Sequence, residues 1–371
     1  MSGTRTKHRY RFLPDYAVPP GQTLQETIDH LDMTQRDLAV RTGLSPKTIN
    51  EIIKGKAPIT PDTSVLLDRV TGVPARMWNN LETNYREQLA IITDRQRLEA
   101  DLAWLGTIPT KELLTRKVIE KQPDRISLLH AVLQFFGVSS SESWNELWMH
   151  PGGAFRKSAK FEARPGALAT WLRLGELEAR NIEVRPYDRA GFENALVGIR
   201  KLTCEPPRVF QPRMVELAAG VGVAVIFVPE IANCPVSGVA RWLTSEKALI
   251  QLSLRYKTED QFWFSFFHEA GHILHDPKKE VFIDDGRSDD VREQRANRFA
   301  ANFLIPPGAA AELADLTTRS SILEFAGRIG IAPGIVLGRL QRERIVPWPT
   351  RLNSLKCRFE WAYCQAPSRS R

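Results

Sequence analysis

Cysteine and histidine are both scarce in this chain, with four of the one and seven of the other in 371 residues. Cys204, Cys234, Cys357 and Cys364 form no C-x-x-C pair, which removes the spacing of a cysteine zinc site and speaks against a disulfide framework. No apolar run approaches the roughly 20 residues that a membrane-spanning helix needs. The opening stretch MSGTRTKHRYRF is basic and lacks the apolar segment of a secretory signal. These absences lead to the expectation of free thiols in a reducing compartment, a cytoplasmic protein and no membrane partner. The composition also excludes a disordered chain: 43% of the residues are hydrophobic and 25% charged, ordinary for a globular protein long enough for two or three domains. The net charge of +8 admits a polyanionic partner without requiring one. It gathers at Arg5, Lys7, Arg9 and Arg11, and again from Arg339 through Arg342, Arg344, Arg351, Lys356 and Arg358 to Arg369 and Arg371.

What is present is concentrated in one place. Three of the seven histidines fall in FWFSFFHEAGHILH, residues 262–275. On a helix, residues four apart share a face, so His268 and His272 point the same way with Glu269 beside them. Two neutral imidazoles, a carboxylate and water make a catalytic zinc site, with Glu269 as the base that deprotonates the water. A second helical period begins near Val291, in VREQRANRFAANFLIPP. Glu293, Ala296, Asn297 and Ala300 fall on one face; the alanines allow close approach, so Glu293 can supply the third metal ligand. Asn297 can hold a ligand imidazole by its other nitrogen. Asp284, Asp285, Asp289 and Asp290 are rival carboxylates in loop sequence, and His275 is expected to be packed or exposed rather than a ligand.

HEAGH followed by E-x-x-A-N-R-F-A-A-N-F-L-I-P-P resembles the ImmA/IrrE family of zinc-dependent endopeptidases, bacterial and phage proteins that cut repressors or other regulators. The flanks SGVARWL, ALIQLSLRYKTEDQFWFSFF and FAGRIGIAPGIVLGRLQRE are similar to one branch of that family, so the resemblance covers roughly Gly166 to Pro347. It implies one Zn²⁺ per chain on His268, His272 and Glu293, with Glu269 as catalytic base. Three β-like runs precede the motif: VAVIFVP, SGVARWL and LIQLSL. A small sheet ahead of a metal-binding helix suits a zinc peptidase, whose edge strand binds an extended peptide; Ser237–Leu243 and Leu249–Leu254 are the candidate edges. Arg241, Arg255 and Tyr256 are candidates to stabilise an oxyanion.

The N-terminal part has a different pattern. PPGQTLQETIDHLD reads as a helix burying Leu24, Ile28 and Leu31. Thr34 caps the next helix, with Leu38 and Ala39 inward; Gly43 makes a tight turn; Ser45 and Pro46 open a third helix that buries Ile49, Ile52 and Ile53. Two short helices joined by a glycine turn are a helix-turn-helix unit. Its DNA-contacting candidates are Lys47, Thr48, Asn50 and Lys54 on the second helix, Ser45 at its start and Gln35 at the start of the first. From PPGQTLQE to ITPDTSVLLDRVTGVPARMWNNLETNYRE the segment resembles the HigA-type antitoxin branch of the Xre family, which implies a dimer on a palindromic double-stranded operator.

The expected architecture is multidomain, α-rich α+β. It comprises a basic arm (1–20), an all-α helix-turn-helix domain (21–88), a helical connector broken at Pro109 and Pro123 with His130 as a core histidine (89–165), a zincin-like α+β peptidase domain with a small sheet (166–347) and a basic tail (348–371). The expected function is a bacterial or phage-encoded DNA-binding regulator, nucleoid-associated when bound, carrying a zinc endopeptidase that cleaves a regulatory protein. The rival reading is a HigA-type antitoxin and autorepressor that holds a cognate toxin without cutting it. An intact Glu269 argues against pure binding, which needs the ligands at most.

Overall fold

The computed structural model describes residues 16–149, 165–232, 234, 236–278, 282–283 and 291–362. The chain divides into two compact units, Met1–Leu102 and Ala103–Arg371. Residues 1–15 of the basic arm, the stretch 150–164 and the final arginines lie outside the described residues.

In the first unit, helices α1 (Pro20–His30), α2 (Gln35–Thr42), α3 (Pro46–Ile53), α4 (Pro61–Thr71) and α5 (Ala75–Ala100) start and stop where side chains can satisfy their ends. Thr34 and Asp37 form a reciprocal capping box at α2. Ser45 caps α3 by accepting from the Thr48 amide, with Pro46 in the first turn. Gly43, at φ 74°, makes the left-handed turn between α2 and α3. Leu24, Ile28, Leu38, Ile49, Leu67 and Trp78 form the core. Leu31 does not join it, being 41% exposed. It lies just past the end of α1, where Asp32 reverses the chain at φ 50°, and Met33 points inward instead. Ile53 is half-buried.

Two close contacts fix this unit. Glu82, buried on α5, accepts from the Ile59 amide at 3.0 Å and from Arg86 Nε at 2.7 Å, tying α5 to the segment ahead of α4. Gly21 lies against the end of α3, where a Cβ would stand 2.2 Å from Ile52 O and 2.4 Å from Ile53 Cα.

The second unit continues through α6 (Thr110–Thr115), α7 (Arg125–Phe136) and α8 (Ser141–Met149), with Pro109 ahead of α6 and Pro123 ahead of α7 at the two expected breaks. Trp104, Phe136, Trp144 and Trp148 pack edge to face. His130, expected in this core, is exposed. The helical period there places Leu129, Val132 and Leu133 inward and turns His130 out. Arg116 donates to Pro229 O and Glu230 O, and Arg173 Nε to Phe135 O, so this stretch is bonded to the sheet region that follows.

Helices α9 (Pro165–Arg180), α10 (Arg189–Lys201) and α11 (Pro207–Ala219) lead to β1 (Val223–Phe227), β2 (Gly238–Trp242), β3 (Ala248–Leu252), α12 (Glu259–His275), β4 (Phe282–Ile283), α13 (Val291–Leu304), α14 (Arg319–Ile329) and α15 (Pro333–Arg342). The sheet order is β1-β3-β2-β4, with β1 parallel to β3 and the other pairs antiparallel. The three expected strands are present, and β4 is added to them. β3 is internal, so Leu249–Leu254 is not an edge; β2 has β3 on one side and, at Val239 and Ala240, β4 on the other. Alternation gives the sheet two covered faces. Val225, Ala240, Ile250 and Leu252 join the core with Trp263, Phe266 and Phe267 of α12. Arg241 and Gln251 face the other way and donate to Leu172 O and Trp171 O of α9. Arg200 braces the far end, donating to the carbonyls of Phe303, Leu304 and Ile329 where α13 and α14 finish. Leu337 and Leu340 of α15 are fully buried in this core.

Gly21→Ala is expected to destabilise the first unit by about 1–3 kcal/mol, because its methyl group displaces the α3 backbone. Thermal unfolding followed by circular dichroism would show a lower midpoint for the transition of that unit.

Candidate metal centre

The helix α12 runs through the middle of the second unit. Glu259 and Asp260 sit in its first turn, where carboxylates oppose the positive helix end; Asp260 also pairs with Lys356 at 2.6 Å. Its remaining length is almost wholly buried, and His268, Glu269 and His272 are exposed by only 1%, 0% and 2%. Polar side chains this deep are costly unless something compensates them. The compensation comes from α13. Gly271 faces Ala296, where a Cβ would lie 3.3 Å from its Cα, and Ala296 and Ala300 are buried. The small residues allow the close approach that brings Glu293 to the histidines.

The geometry is compact. His268 Nε2 and His272 Nε2 are 3.0 Å apart. The Glu293 carboxylate spans both, with Oε2 at 3.1 Å from His268 Nε2 and Oε1 at 3.4 Å from His272 Nε2. The outer nitrogens are also held. His268 Nδ1 lies 3.1 Å from Asn297 Oδ1, as the spacing predicts, and His272 Nδ1 lies 2.6 Å from Asp276 Oδ2. Asp276 is positioned in turn by Arg295, which also donates to His275 O. The sequence reading missed Asp276, although its position four residues after His272 is a legible signal: in a helical register it lies over the same face.

These contacts decide the tautomers. When the rings are neutral, an oxygen acceptor at each Nδ1 keeps the proton there and leaves both Nε2 lone pairs aimed at one point beside a carboxylate. Three acceptor groups converging in a buried space repel one another unless a cation or proton lies between them. Burial opposes charging His272, but its hydrogen bonds to Asp276 and Glu293 and the charge of Glu269 outweigh that and raise its pKa to about 9. Burial likewise opposes ionising Glu293, and the bonds from His268 and His272 lower it to about 2. The ligand atoms all lie within 4.8 Å of one another, and two imidazoles with one carboxylate are the donors of a three-ligand catalytic site. The residues therefore fit one divalent metal ion.

Glu269 stands next to this cluster and beneath β2. A Cβ at Gly238 would come within 2.7 Å of Glu269 Oε1 and 2.8 Å of its Cγ, so glycine there is what leaves space for the carboxylate. A glycine inside a strand pattern is the sequence signal for such an approach, and it went unread. Of the oxyanion candidates, Arg241 is on the wrong face of the sheet. It is 7% exposed, spent on Leu172 O, and its pKa is lowered to about 10 by burial. Arg255 and Tyr256 do face the site region: they stack at 4.7 Å and line a cavity of 620 Å³ that Glu293 and Asn297 also line. His275 is exposed against Phe299. Asp284, Asp285, Asp289 and Asp290 lie outside the described residues.

In the first unit, Lys47 on α3 and Lys54 at its C-terminal end are exposed, and Thr48 and Asn50 are half-buried. Lys47 approaches Glu51 at 3.8 Å, Thr48 bonds Ser45, and Gln35 Nε2 donates to Gln25 Oε1 at 2.7 Å. Those contacts hold Ser45 and Gln35 at the start of their helices.

Replacing Asp276 by Asn keeps the shape but removes the charge behind His272. The expected result is a loss of about 10–100-fold in Zn²⁺ affinity, measured by competition with a chromophoric chelator. Unchanged affinity would show that Asp276 does not support the cluster.

Residues 24–78 match the family described as helix-turn-helix, and residues 235–341 the family described as peptidase M78, IrrE N-terminal-like domain. Among curated proteins the chain is similar to the uncharacterized HTH-type transcriptional regulator YddM of Escherichia coli, 35% identical over 63 residues that make 17% of this chain and 67% of that one. It is also similar to virulence-associated protein I of Dichelobacter nodosus, 35% identical over 75 residues, 20% of this chain and 69% of that one. Similar solved structures include an addiction module antidote protein of a HigA family from Coxiella burnetii, 27% identical over 23% of this chain and 94% of that one, TM-score 0.22. The Pseudomonas aeruginosa antitoxin HigA with higBA promoter is 25% identical over 23% and 95%, TM-score 0.22. The likeness to the HigA structures covers only the helix-turn-helix part. The chain thus belongs to the helix-turn-helix family through its first unit and carries an IrrE N-terminal-like peptidase M78 domain in its second.

Proposed function

We propose that this protein is a DNA-binding transcriptional regulator whose second unit is a zinc-dependent endopeptidase that cleaves a regulatory protein. The observation that carries the enzymatic part is Glu269. A site that only holds a metal needs His268, His272 and Glu293; it does not need a second carboxylate, fully buried, with a strand glycine making space for it. A metal ion bound by those three residues supplies Lewis acidity, which makes water acidic near neutral pH and polarises a carbonyl. The chain's own groups do the rest. Glu269 takes a proton from the attacking water and returns it to the leaving amine. Asn297 and Asp276 hold the two imidazoles in the tautomer that leaves each Nε2 free to bind. Tyr256 and Arg255, at the rim of the adjoining cavity, are the groups placed to bind the substrate's carbonyl oxygen.

The first unit directs this activity to DNA as a dimer on an operator. Lys47 and Lys54 supply phosphate contacts, and Asn50 is of the kind that reads a base edge. Such a combination calls for a cytoplasmic protein, since operator and substrate coexist there.

Two measurements test the two halves. Mass spectrometry of new protein N-termini in the native host, comparing wild type with Glu269→Gln, is expected to show termini only with wild type. Matching profiles, with promoter binding and toxin neutralisation intact in both, would replace proteolysis with an antitoxin and autorepressor role. In operator titrations, Lys47→Ala is expected to weaken binding on every sequence and reduce the salt slope by about one. Asn50→Ala is expected to relax discrimination at a single base position.

A further inference from the structure

The 620 Å³ cavity beside the cluster is lined at one end by Glu293 and Asn297 and by Ser265, one turn before Glu269 on α12. Residues of α12, α13 and α15 form its sides, and Arg255, Arg298, Arg339 and Arg342 all line it. Three acids line it too, but each is already matched. Asp260 is paired with Lys356 at 2.6 Å, Glu343 with Arg339 Nε at 2.5 Å, and Glu293 with the two imidazoles.

The cationic side is in surplus. Arg298 and Arg342 are exposed and form no ion pair among the described residues. Arg339 is held by Glu343 through Nε, while its Nη1 is buried without a hydrogen-bond partner. Arg298 and Arg342 therefore leave their guanidinium donors uncommitted at the wall of the cavity. The geometry of a guanidinium fork matches a carboxylate, whose two oxygens take parallel N–H bonds. Phe264, Leu304 and Ile335 supply apolar wall, which suits an extended peptide with one charged group and not a duplex.

Resting on the peptidase reading, we infer that this slot selects substrate peptides by a carboxylate, received by Arg339 and Arg342 of α15 with Arg298 contributed by α13. The carboxylate is either an Asp or Glu side chain near the scissile bond or the C-terminus of the peptide. Arg339 and Arg342 are three apart on α15, hence on one face, and Glu343 orients the first of them. Both sources present the same two oxygens to the fork.

The test uses the full-length chain carrying Glu269→Gln, loaded with Zn²⁺ and immobilised, so that peptides are retained without turnover. The probes are short peptide libraries with one fixed position as Glu, Gln or Lys, each with a free or an amidated C-terminus, and the retained peptides are counted by mass spectrometry. Retention is expected to favour Glu over Gln about tenfold at one position, or the free over the amidated terminus by the same factor, and the arm that responds names the source. The preference is expected to vanish in R339Q/R342Q and to turn toward Lys in R342E, with unfolding midpoints confirming that both variants are folded. Equal retention of all libraries, or a preference that survives in R339Q/R342Q, would overturn the inference. Cleavage of the same libraries by wild type is scored separately. Charge-selective retention without cleavage keeps the slot and removes the peptidase reading; cleavage without charge preference does the reverse.

Discussion

Two imidazole Nε2 atoms 3.0 Å apart in the interior of a protein, on rings whose Nδ1 atoms each face an oxygen on the far side, are the constraint on which the second unit depends. Lone pairs so placed repel, and the Glu293 carboxylate across them adds negative charge to the same point. Such an arrangement survives in a buried helix only because a positive species belongs there. The neighbouring packing follows from it: glycine and alanine between α12 and α13, a charged brace from Arg295 through Asp276, and a sheet whose covering strand has no side chain where Glu269 lies.

The sheet explains how the helix is held at that depth. One face receives the aromatic side of α12, with Trp263, Phe266 and Phe267 in its core. The other face is held by buried polar groups, Arg241 and Gln251, that bond to carbonyls of α9. Asp260 and Lys356 anchor the start of α12, while Arg200 gathers the ends of α13 and α14. The helix carrying the ligands is therefore fixed along its length and from both sides, the condition for holding three donors within hydrogen-bonding distance of one another.

Much of this was legible in the sequence, and the reasons are local. The His268, Glu269 and His272 spacing and the Glu293, Asn297 pair are properties of single helices, so helical period alone places them. The capped turns around Thr34, Gly43 and Ser45 are likewise read from a few adjacent residues. What escaped reading depends on contacts between distant segments. Arg241 looked catalytic beside the motif, but strand parity turned it to the opposite face. Gly238 matters only once its strand meets α12, whereas Asp276, one turn past His272 at the end of the same helix, was a local signal passed over. β4 is two residues in a polar, acidic run, too short to leave a period, and its pairing covers the outer side of β2; Leu249–Leu254 is internal because β3 lies between β1 and β2. Leu31 and His130 failed for the same reason: the helix ended or rotated one position away from what an apolar neighbourhood suggested.

The most direct test of the central claim is anomalous diffraction at the zinc edge from crystals of the full chain grown with Zn²⁺. The account predicts one peak per chain at about 2.0–2.2 Å from His268 Nε2, His272 Nε2 and a Glu293 oxygen, with Nδ1 of each histidine still on Asn297 and Asp276. A chain with no peak there, or with zinc held elsewhere while the two Nε2 atoms share a proton, would contradict it.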